Sequence, residues 1–360
     1  MQRLSDDDVQ IVRYGTPELW DQMRELVRTL SWTTQDEAMW QLIPEMKNTY
    51  PIFAIRKSDN YLLGGVTLVE TDIVYGAFYV LRPDLRGLGV GMKMMAHLID
   101  VIAKVSKLKP VLGRGVPAMI EKYSGPPFYA IHHHEMYGFT LSRKELLQMF
   151  PCSSNTLVPK SVKQTGTNTV TENGLQTIFG TFKVHRRNQR IEEVRNMLIT
   201  RKRYEEMNAE QFDKFCAYDH LASGRDRREF LKDHHSLFFT KGVALLDAAG
   251  NVHGIAGAVP TLHNPKLFKI APVFAATQEN ACYLIKCITD MIQGPDVKFV
   301  LHVSTNTAGD WILKKCRDAN IPLVFTGTAA NSTYNGIIYK DPCNAELMFV
   351  PMNCPIYFDR

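Results

Sequence analysis

The sequence predicts a mixed α/β fold built from two halves that resemble each other. Strand patterns alternate with amphipathic helix patterns from residue 9 onwards. The order of helix pair, hairpin and two strand-to-helix units then occurs a second time after residue 195. With 360 residues, of which 45% are hydrophobic and 22% charged, the chain is long enough for two ordinary globular domains.

The first half begins with a predicted strand at residues 9–13 and a predicted helix at 18–30. Thr34 is expected to cap a second helix that ends near residue 46. Strands are predicted at 52–56, 61–70 and 73–81, and a long helix with one apolar stripe at 92–105.

A change in composition separates the halves. Residues 152–194 are rich in Ser, Thr and Asn and then become basic, which predicts a polar linker between domains at 1–151 and 195–360. In the second half we predict helices at 208–217 and 227–233, strands at 237–239, 243–246 and 254–259, and strand-to-helix units at 268–292 and 299–319.

Composition argues against several classes of protein. No apolar run approaches 18 residues, so no membrane span is expected, and the acidic N-terminal segment predicts a cytoplasmic protein. Seven cysteines without CxxC spacing favour free thiols over a zinc ribbon or a disulfide framework. The net charge of +5 is modest, and the basic runs at 183–190 and 201–203 have no aromatic residues between their charges. Both observations argue against a nucleic-acid-binding protein.

The most informative segment is the turn between strand 73–81 and helix 92–105, which has the sequence RPDLRGLGVGM. Its glycines let backbone N–H groups converge at the positive end of a helix, which predicts a site for a pyrophosphate. The dinucleotide-binding fingerprint does not fit, because the third glycine comes one residue early and Met92 stands in its place. The P-loop pattern is also missing.

Arg86, Gly89 and Gly91 form an Arg-x-x-Gly-x-Gly pattern, and together with the strand before it and the helix after it this resembles the GCN5-related N-acetyltransferase (GNAT) family. The second half resembles the C-terminal domain of YitH-type members at residues 218–219, 224–227, 230–231 and 271–277, but it has no second glycine loop. The resemblance implies tandem domains with mainly antiparallel sheets flanked by helices. It also implies one acetyl-CoA site, formed by Tyr79, Val80, Leu81, Arg86, Gly87, Leu88, Gly89, Val90, Gly91 and Met92.

The same resemblance implies direct acetyl transfer to a primary amine of a small molecule, such as a biogenic amine, an amino acid or a polyamine. Strand 73–81 is expected to splay from its neighbour, so that N–H groups near Val80 and Leu81 polarise the thioester carbonyl. Glu70 and Asp72 are the candidate bases, and Tyr75 is a further candidate.

Residues 130–139, AIHHHEMYGF, resemble the family's late helix and its Gly-Phe step. His134 then takes the place of the family's tyrosine, which protonates the leaving thiolate; Tyr129 and Tyr137 are alternatives. Three consecutive histidines on a helix would point about 100° apart, so no shared metal is expected.

The second domain is expected to wall the acceptor pocket from the open edge of the first sheet, and Asp226 and Arg227 to form a structural ion pair. Two alternatives remain, namely acetylation of a protein lysine and acyl-CoA sensing without catalysis. The sequence leaves the oligomeric state open.

Overall fold

The computed structural model describes residues 8–152, 200–354 and 359–360, and its strands and helices alternate along most of both halves. The strands are β1 (Val9–Val12), β2 (Thr49–Arg56), β3 (Leu62–Glu70), β4 (Val74–Leu81), β5 (Val111–Gly115), β6 (Ile131–Ser142), β7 (Thr200–Arg203), β8 (Lys241–Leu246), β9 (Val252–Pro260), β10 (Leu267–Ala275), β11 (Lys298–Ser304), β12 (Val324–Ser332) and β13 (Met348–Val350). The helices are α1 (Pro17–Arg28), α2 (Glu37–Leu42), α3 (Val90–Val105), α4 (Ile120–Ser124), α5 (Arg143–Met149), α6 (Ala209–Ser223), α7 (Arg228–Ser236), α8 (Gln278–Met291) and α9 (Asp310–Asp318).

The two halves share one sheet, and they exchange strands at its centre. The strand order is β1-β2-β3-β4-β5-β12-β6-β11-β10-β9-β8-β7, with β13 paired to β10. Strand β12 of the second half therefore lies between β5 and β6, while β6 of the first half lies between β12 and β11. The second half was expected to lie against an open edge of the first sheet; instead its strand β12 pairs with β5, and the sheet continues from one half into the other.

Most pairs of neighbouring strands are antiparallel, as predicted. The parallel pairs are β4 with β5 and β10 with β11, one in each half. Helix α3 covers the first of these pairs through an apolar cluster that includes Met94 and Leu98. The opposite face packs against the second half in a cluster that joins Trp40 and Phe78 to Phe215 and Met352.

Local signals explain the first two helices. Thr16 caps α1 by accepting a hydrogen bond from the Leu19 N–H, and Pro17 occupies the first helical position. The predicted cap at Thr34 is wrong, because Asp36 accepts the bond from the Met39 N–H at 3.0 Å. A carboxylate at this position is also stabilised by the partial positive charge at the N-terminus of the helix.

Two other sequence predictions are wrong. Residues 237–239 form a turn after α7 instead of a strand. Residues 131–139 form part of β6 instead of a helix, because they pair with both β11 and β12 in the centre of the sheet. The predicted linker and the basic run at 183–190 lie almost entirely outside the described residues. No helix in the described part of the chain is both long and apolar enough to cross a bilayer.

Candidate active site

Strands β4 and β5 run side by side for three residues and then separate, which confirms the predicted splay. They pair at Val74 with Val111, Tyr75 with Leu112 and Gly76 with Gly113, and β4 continues to Leu81 without this neighbour. The separation opens a gap in the middle of the sheet, which we call the β4–β5 cleft. Backbone groups that would otherwise pair across these strands are available to a ligand there.

A bulge distorts β4 where it borders this cleft. Between the pairs Gly65–Val80 and Thr67–Ala77, two residues of β4, Phe78 and Tyr79, oppose one residue of β3. Phe78 has φ +58°, a conformation that costs free energy in a bulky residue and that clusters at functional sites. Its ring packs against Trp40 at 4.6 Å between centroids.

The glycine loop, residues 86–91, connects the open end of β4 to α3. Gly87 and Gly89 have φ +83° and +81°, and Gly89 is the N-cap of α3. A Cβ atom at either glycine would meet nothing within 4 Å, so this side of the loop is open. The first-turn N–H groups of α3 have no acceptor within their own helix and face a site suited to an anion.

Tyr79 fastens this loop to the strand. Its hydroxyl donates to the Gly91 carbonyl at 2.6 Å, and the buried side chains of Leu85 and Val90 anchor the two ends of the loop. Met92, at the third position of the helix, is 73% exposed. The structure thus brings the ten residues of the expected coenzyme site together along β4, the glycine loop and the start of α3.

Tyr123 is a candidate site residue that the sequence did not suggest. It lies on α4, the short helix that follows β5, and its ring packs edge-on against Phe128 at 6.0 Å between centroids. Burial, followed by the charges of the Tyr79 and Tyr75 phenols, raises the pKa of Tyr123 to about 12. Tyr123 is therefore a further candidate for the group that protonates a leaving thiolate.

The three candidate bases lie towards the paired end of β4. Glu70 pairs with Val74, four residues before the bulge, which is roughly 13 Å along a strand. Its carboxylate accepts hydrogen bonds from Lys109 and Tyr50, each at 2.8 Å, and these hold the pKa of Glu70 below its usual value.

Asp72 is 58% exposed in its side chain and forms an ion pair with the buried Arg225 of the second half. Tyr75 is 5% exposed, and burial raises its pKa. Glu70 and Asp72 are thus each paired with a cation, and the lowered pKa of Glu70 makes that carboxylate a weak proton acceptor. Their role as bases stays a prediction.

His134 lies on β6, two strands away from β5. Its Nε2 is 3.1 Å from the Asp341 carboxylate and its Nδ1 is 2.8 Å from the Arg360 guanidinium. Burial would raise the pKa of Asp341, but the hydrogen bond from His134, the Cys343 N–H and the charge of Arg360 keep it below its usual value. His134 thus takes part in a polar cluster between segments of both halves.

The second half has the same strand geometry with its cleft filled. Strands β10 and β11 also pair over three residues, and β13 then pairs with β10 at Val273 and Phe274. The groove that remains, about 790 Å³, is lined by the start of α8 and carries the carboxylates Glu279 and Glu346. It has no glycine loop.

Residues of the second half also enclose the first site. Arg225 contacts both Asp72 and the Tyr339 hydroxyl, the latter at 2.8 Å, and the Arg360 carbonyl accepts a hydrogen bond from Arg114 of β5. The described residues contain no group of three or more side chains that could hold a metal ion.

Two family models match the chain. The Acetyltransferase (GNAT) family matches residues 19–112, which include β4, the glycine loop, α3 and the first two residues of β5. The Acetyltransferase (GNAT) domain matches residues 215–328 of the second half. A protein of Caenorhabditis elegans, described as uncharacterized protein F36G3.2, is 29% identical over 291 residues, which cover 79% of this chain and 75% of that one.

Solved structures have the same architecture over almost the whole chain. A protein of Pyrococcus horikoshii assigned as an acetyltransferase superposes with a TM-score of 0.56 at 10% identity and covers 98% of both chains. A tandem GNAT protein from the clavulanic acid biosynthesis pathway superposes with a TM-score of 0.55 at 10% identity, over 90% of this chain and 97% of that one. At such low identity these likenesses show the fold alone.

Proposed function

Because the chain belongs to the GNAT superfamily and has two domains of that type, we propose that it is an acetyl-CoA-dependent N-acetyltransferase acting on the primary amine of a small molecule. One observation carries the proposal: a splayed and bulged β4 leads directly into an open glycine loop at the start of α3. This arrangement supports an anion site and an oxyanion site along one continuous cleft.

In the proposed reaction, the glycine loop and the N-terminus of α3 hold the pyrophosphate of the coenzyme. Backbone N–H groups of β4 at and after the bulge polarise the thioester carbonyl. The ammonium form of the acceptor first loses a proton to water or to a base near the cleft, and the neutral amine then forms the new C–N bond as the C–S bond breaks. The Tyr123 hydroxyl protonates the leaving thiolate, and the proton released by the acylated nitrogen returns through water to the Tyr123 phenolate, which leaves the amide and the free CoA thiol as products.

The enclosure by the second half supports a small acceptor. Arg225, Tyr339 and Arg360 lie beside the face of β4 and β5 that is opposite α3. An acceptor that reaches the thioester from this side has to fit between the halves, which is a common place for small-molecule sites. The lysine side chain of a protein acceptor would need a more open approach to the thioester. Acetylation of a lysine peptide is therefore the alternative result of the experiment described next.

The test combines purified protein, acetyl-CoA and a panel of aryl-alkyl amines, polyamines, amino acids, aminosugars and a lysine peptide, with mass spectrometry to detect acetylated product. Met92→Glu and Met92→Gln form a matched pair of variants. Both variants are expected to fold, because the side chain at position 92 is exposed. The first turn of a helix also favours an acidic residue, such as the one that Met92→Glu introduces.

We expect Met92→Glu to weaken acetyl-CoA binding by about tenfold through repulsion of the pyrophosphate, and Met92→Gln to bind like the wild type. Product on a small amine supports the proposal, whereas product on the lysine peptide alone identifies a protein acceptor. Acetyl-CoA binding without turnover favours a sensor. If no acetyl-CoA binds, the glycine loop is not a coenzyme site.

A further inference from the structure

The closed end of the β4–β5 cleft is formed by two glycines. Gly76 and Gly113 face each other in the last pair before the strands separate. The preceding residues show which way they point: Val74 and Val111 pack beneath α3, while Tyr75 and Leu112 pack on the opposite face. Since side chains alternate along a strand, both glycines belong to the α3 face.

Space is left above these glycines on the α3 face. A Cβ atom at Gly113 would meet one neighbour within 4 Å, the Gly76 carbonyl oxygen at 3.5 Å. At Gly76 it would meet the Leu112 carbonyl oxygen at 3.7 Å and Leu68 at 3.8 Å. Both glycines are partly exposed although they lie in the middle of the sheet, so solvent reaches the end of the cleft from this side.

The matching face of the second half is filled. The last pair before the strands separate, Lys269 with Val300, points away from α8, because Lys269 contacts Asp36 of the first half. On the α8 face, Phe268 and Phe299 pair just before this point, and Ile270 and Leu301 follow just after it, all in one apolar cluster. The half with the glycine loop thus has two glycines on the helix side of its closed end, and the half without the loop has large side chains there. This contrast associates the free space with the coenzyme.

We propose that Gly76 and Gly113 set the length of the acyl group, and that acetyl-CoA is the shortest of a series of straight-chain acyl-CoA esters, of up to about six carbons, that the cleft accepts. The coenzyme enters from the glycine loop at the open end, so its acyl group extends beyond the bulge towards the closed end. The distance from Phe78 to Gly76, two residues along a strand, is roughly 7 Å and fits a chain of four to six carbons.

The lining selects an unbranched apolar chain. The residues around this end are aliphatic members of the cluster beneath α3, including Val74, Leu68 and Val111. On the other face, Tyr75 and Leu112 are buried and leave no comparable room. An acyl group with a terminal carboxylate would lose part of its hydration against this aliphatic lining, so such esters are expected to bind more weakly than unbranched apolar ones.

The inference rests on the proposed function, and the experiment separates the two. Dissociation constants are measured for CoA and for its acetyl, butyryl, hexanoyl and succinyl esters with the wild type, Gly113→Ala, Gly113→Val and Gly76→Ala. The thermal midpoint of each variant shows that it is folded. Because the Cβ contacts at these sites are of ordinary length, the alanine variants are expected to fold.

For the wild type we expect affinity to rise by about fourfold per added methylene from acetyl to hexanoyl. Gly113→Val should abolish this gain while acetyl-CoA binding stays within about threefold, and the alanine variants should shorten the preferred chain. Equal or weaker binding of hexanoyl-CoA by the wild type overturns the inference and leaves the proposed function intact. An unchanged chain-length preference in Gly113→Val also overturns it. Failure to bind any CoA compound overturns both.

Discussion

Removal of the Asp219 carboxylate should destabilise the protein far more than removal of a neighbouring carboxylate on the same helix. Asp219 accepts two hydrogen bonds from the Arg227 guanidinium, at 2.6 and 2.8 Å, and both side chains are buried. Arg227 also lies 3.5 Å from the Asp359 carboxylate. The prediction of an ion pair between Asp226 and Arg227 is therefore wrong, because the Arg227 side chain is buried while Asp226 is exposed.

The size of the effect follows from burial. Removing one partner of a buried ion pair leaves a charge without compensation and typically costs about 3–5 kcal/mol. Asp359 still compensates part of the Arg227 charge, so Asp219→Ala should lower the free energy of unfolding by about 3 kcal/mol. The control is Asp213→Ala. Asp213 is an exposed residue of the same helix and pairs with Arg228 of α7 at the surface, and such pairs contribute at most about 1 kcal/mol.

Urea unfolding followed by circular dichroism measures both variants at pH 7. Asp219→Ala is expected to shift the midpoint strongly and Asp213→Ala hardly at all. In Asp219→Leu/Arg227→Met/Asp359→Asn, which removes all three buried charges of the network, much of the lost stability should return. Equal losses in the two alanine variants would refute the assignment of a buried charge network that fastens α6 to the residues before α7.

Two further predictions concern the active site. Tyr123→Phe should lower kcat by about 10²-fold without changing the dissociation constant of acetyl-CoA, measured by stopped-flow turnover and by calorimetry. Glu70→Gln should leave the pH dependence of kcat between pH 5 and 9 unchanged, because Lys109 and Tyr50 hold the pKa of Glu70 low and its carboxylate is already charged there. Because the pKa of Glu70 is lower in the folded protein than in the unfolded chain, where it is near 4.3, its ionised carboxylate stabilises the fold at any pH above that value. This contribution is lost as the carboxylate becomes protonated. The Tm difference between wild type and Glu70→Gln should therefore shrink as the pH falls below about 4. A lost acid limb in Glu70→Gln would identify Glu70 as the base.

Features encoded by consecutive residues could be predicted from the sequence. The glycine loop, its strand and its helix were located within a few residues, because the turn glycines and the apolar stripe of α3 are local signals. The splay of β4 followed from the resemblance. Helix α6, predicted at 208–217, extends to Ser223 and ends at Gly224, which adopts φ +69° as its C-cap.

Features that depend on distant pairing could not be predicted. The three histidines of β6 have no alternating apolar pattern, and the strand is stabilised by β11 and β12, more than 150 residues away in the sequence. Tyr123 was missed because α4 has five residues and no helical periodicity. Its position beside the cleft follows from the path of the chain after β5.

The two halves have the same strand geometry, yet among the described residues the first half alone carries the features of the proposed coenzyme site, and the residues explain why. In the first half the strands separate at Gly76 and Gly113, and the chain continues into a loop whose glycines face open space. In the second half β13 pairs with β10 inside the cleft, and Glu279 occupies the first turn of α8, where a carboxylate would repel a pyrophosphate. The second half instead contributes β12 to the sheet beside β5 and Arg225 to the first site. A variant that disrupts β12 should therefore abolish activity in the first half, although β12 carries none of the reacting groups.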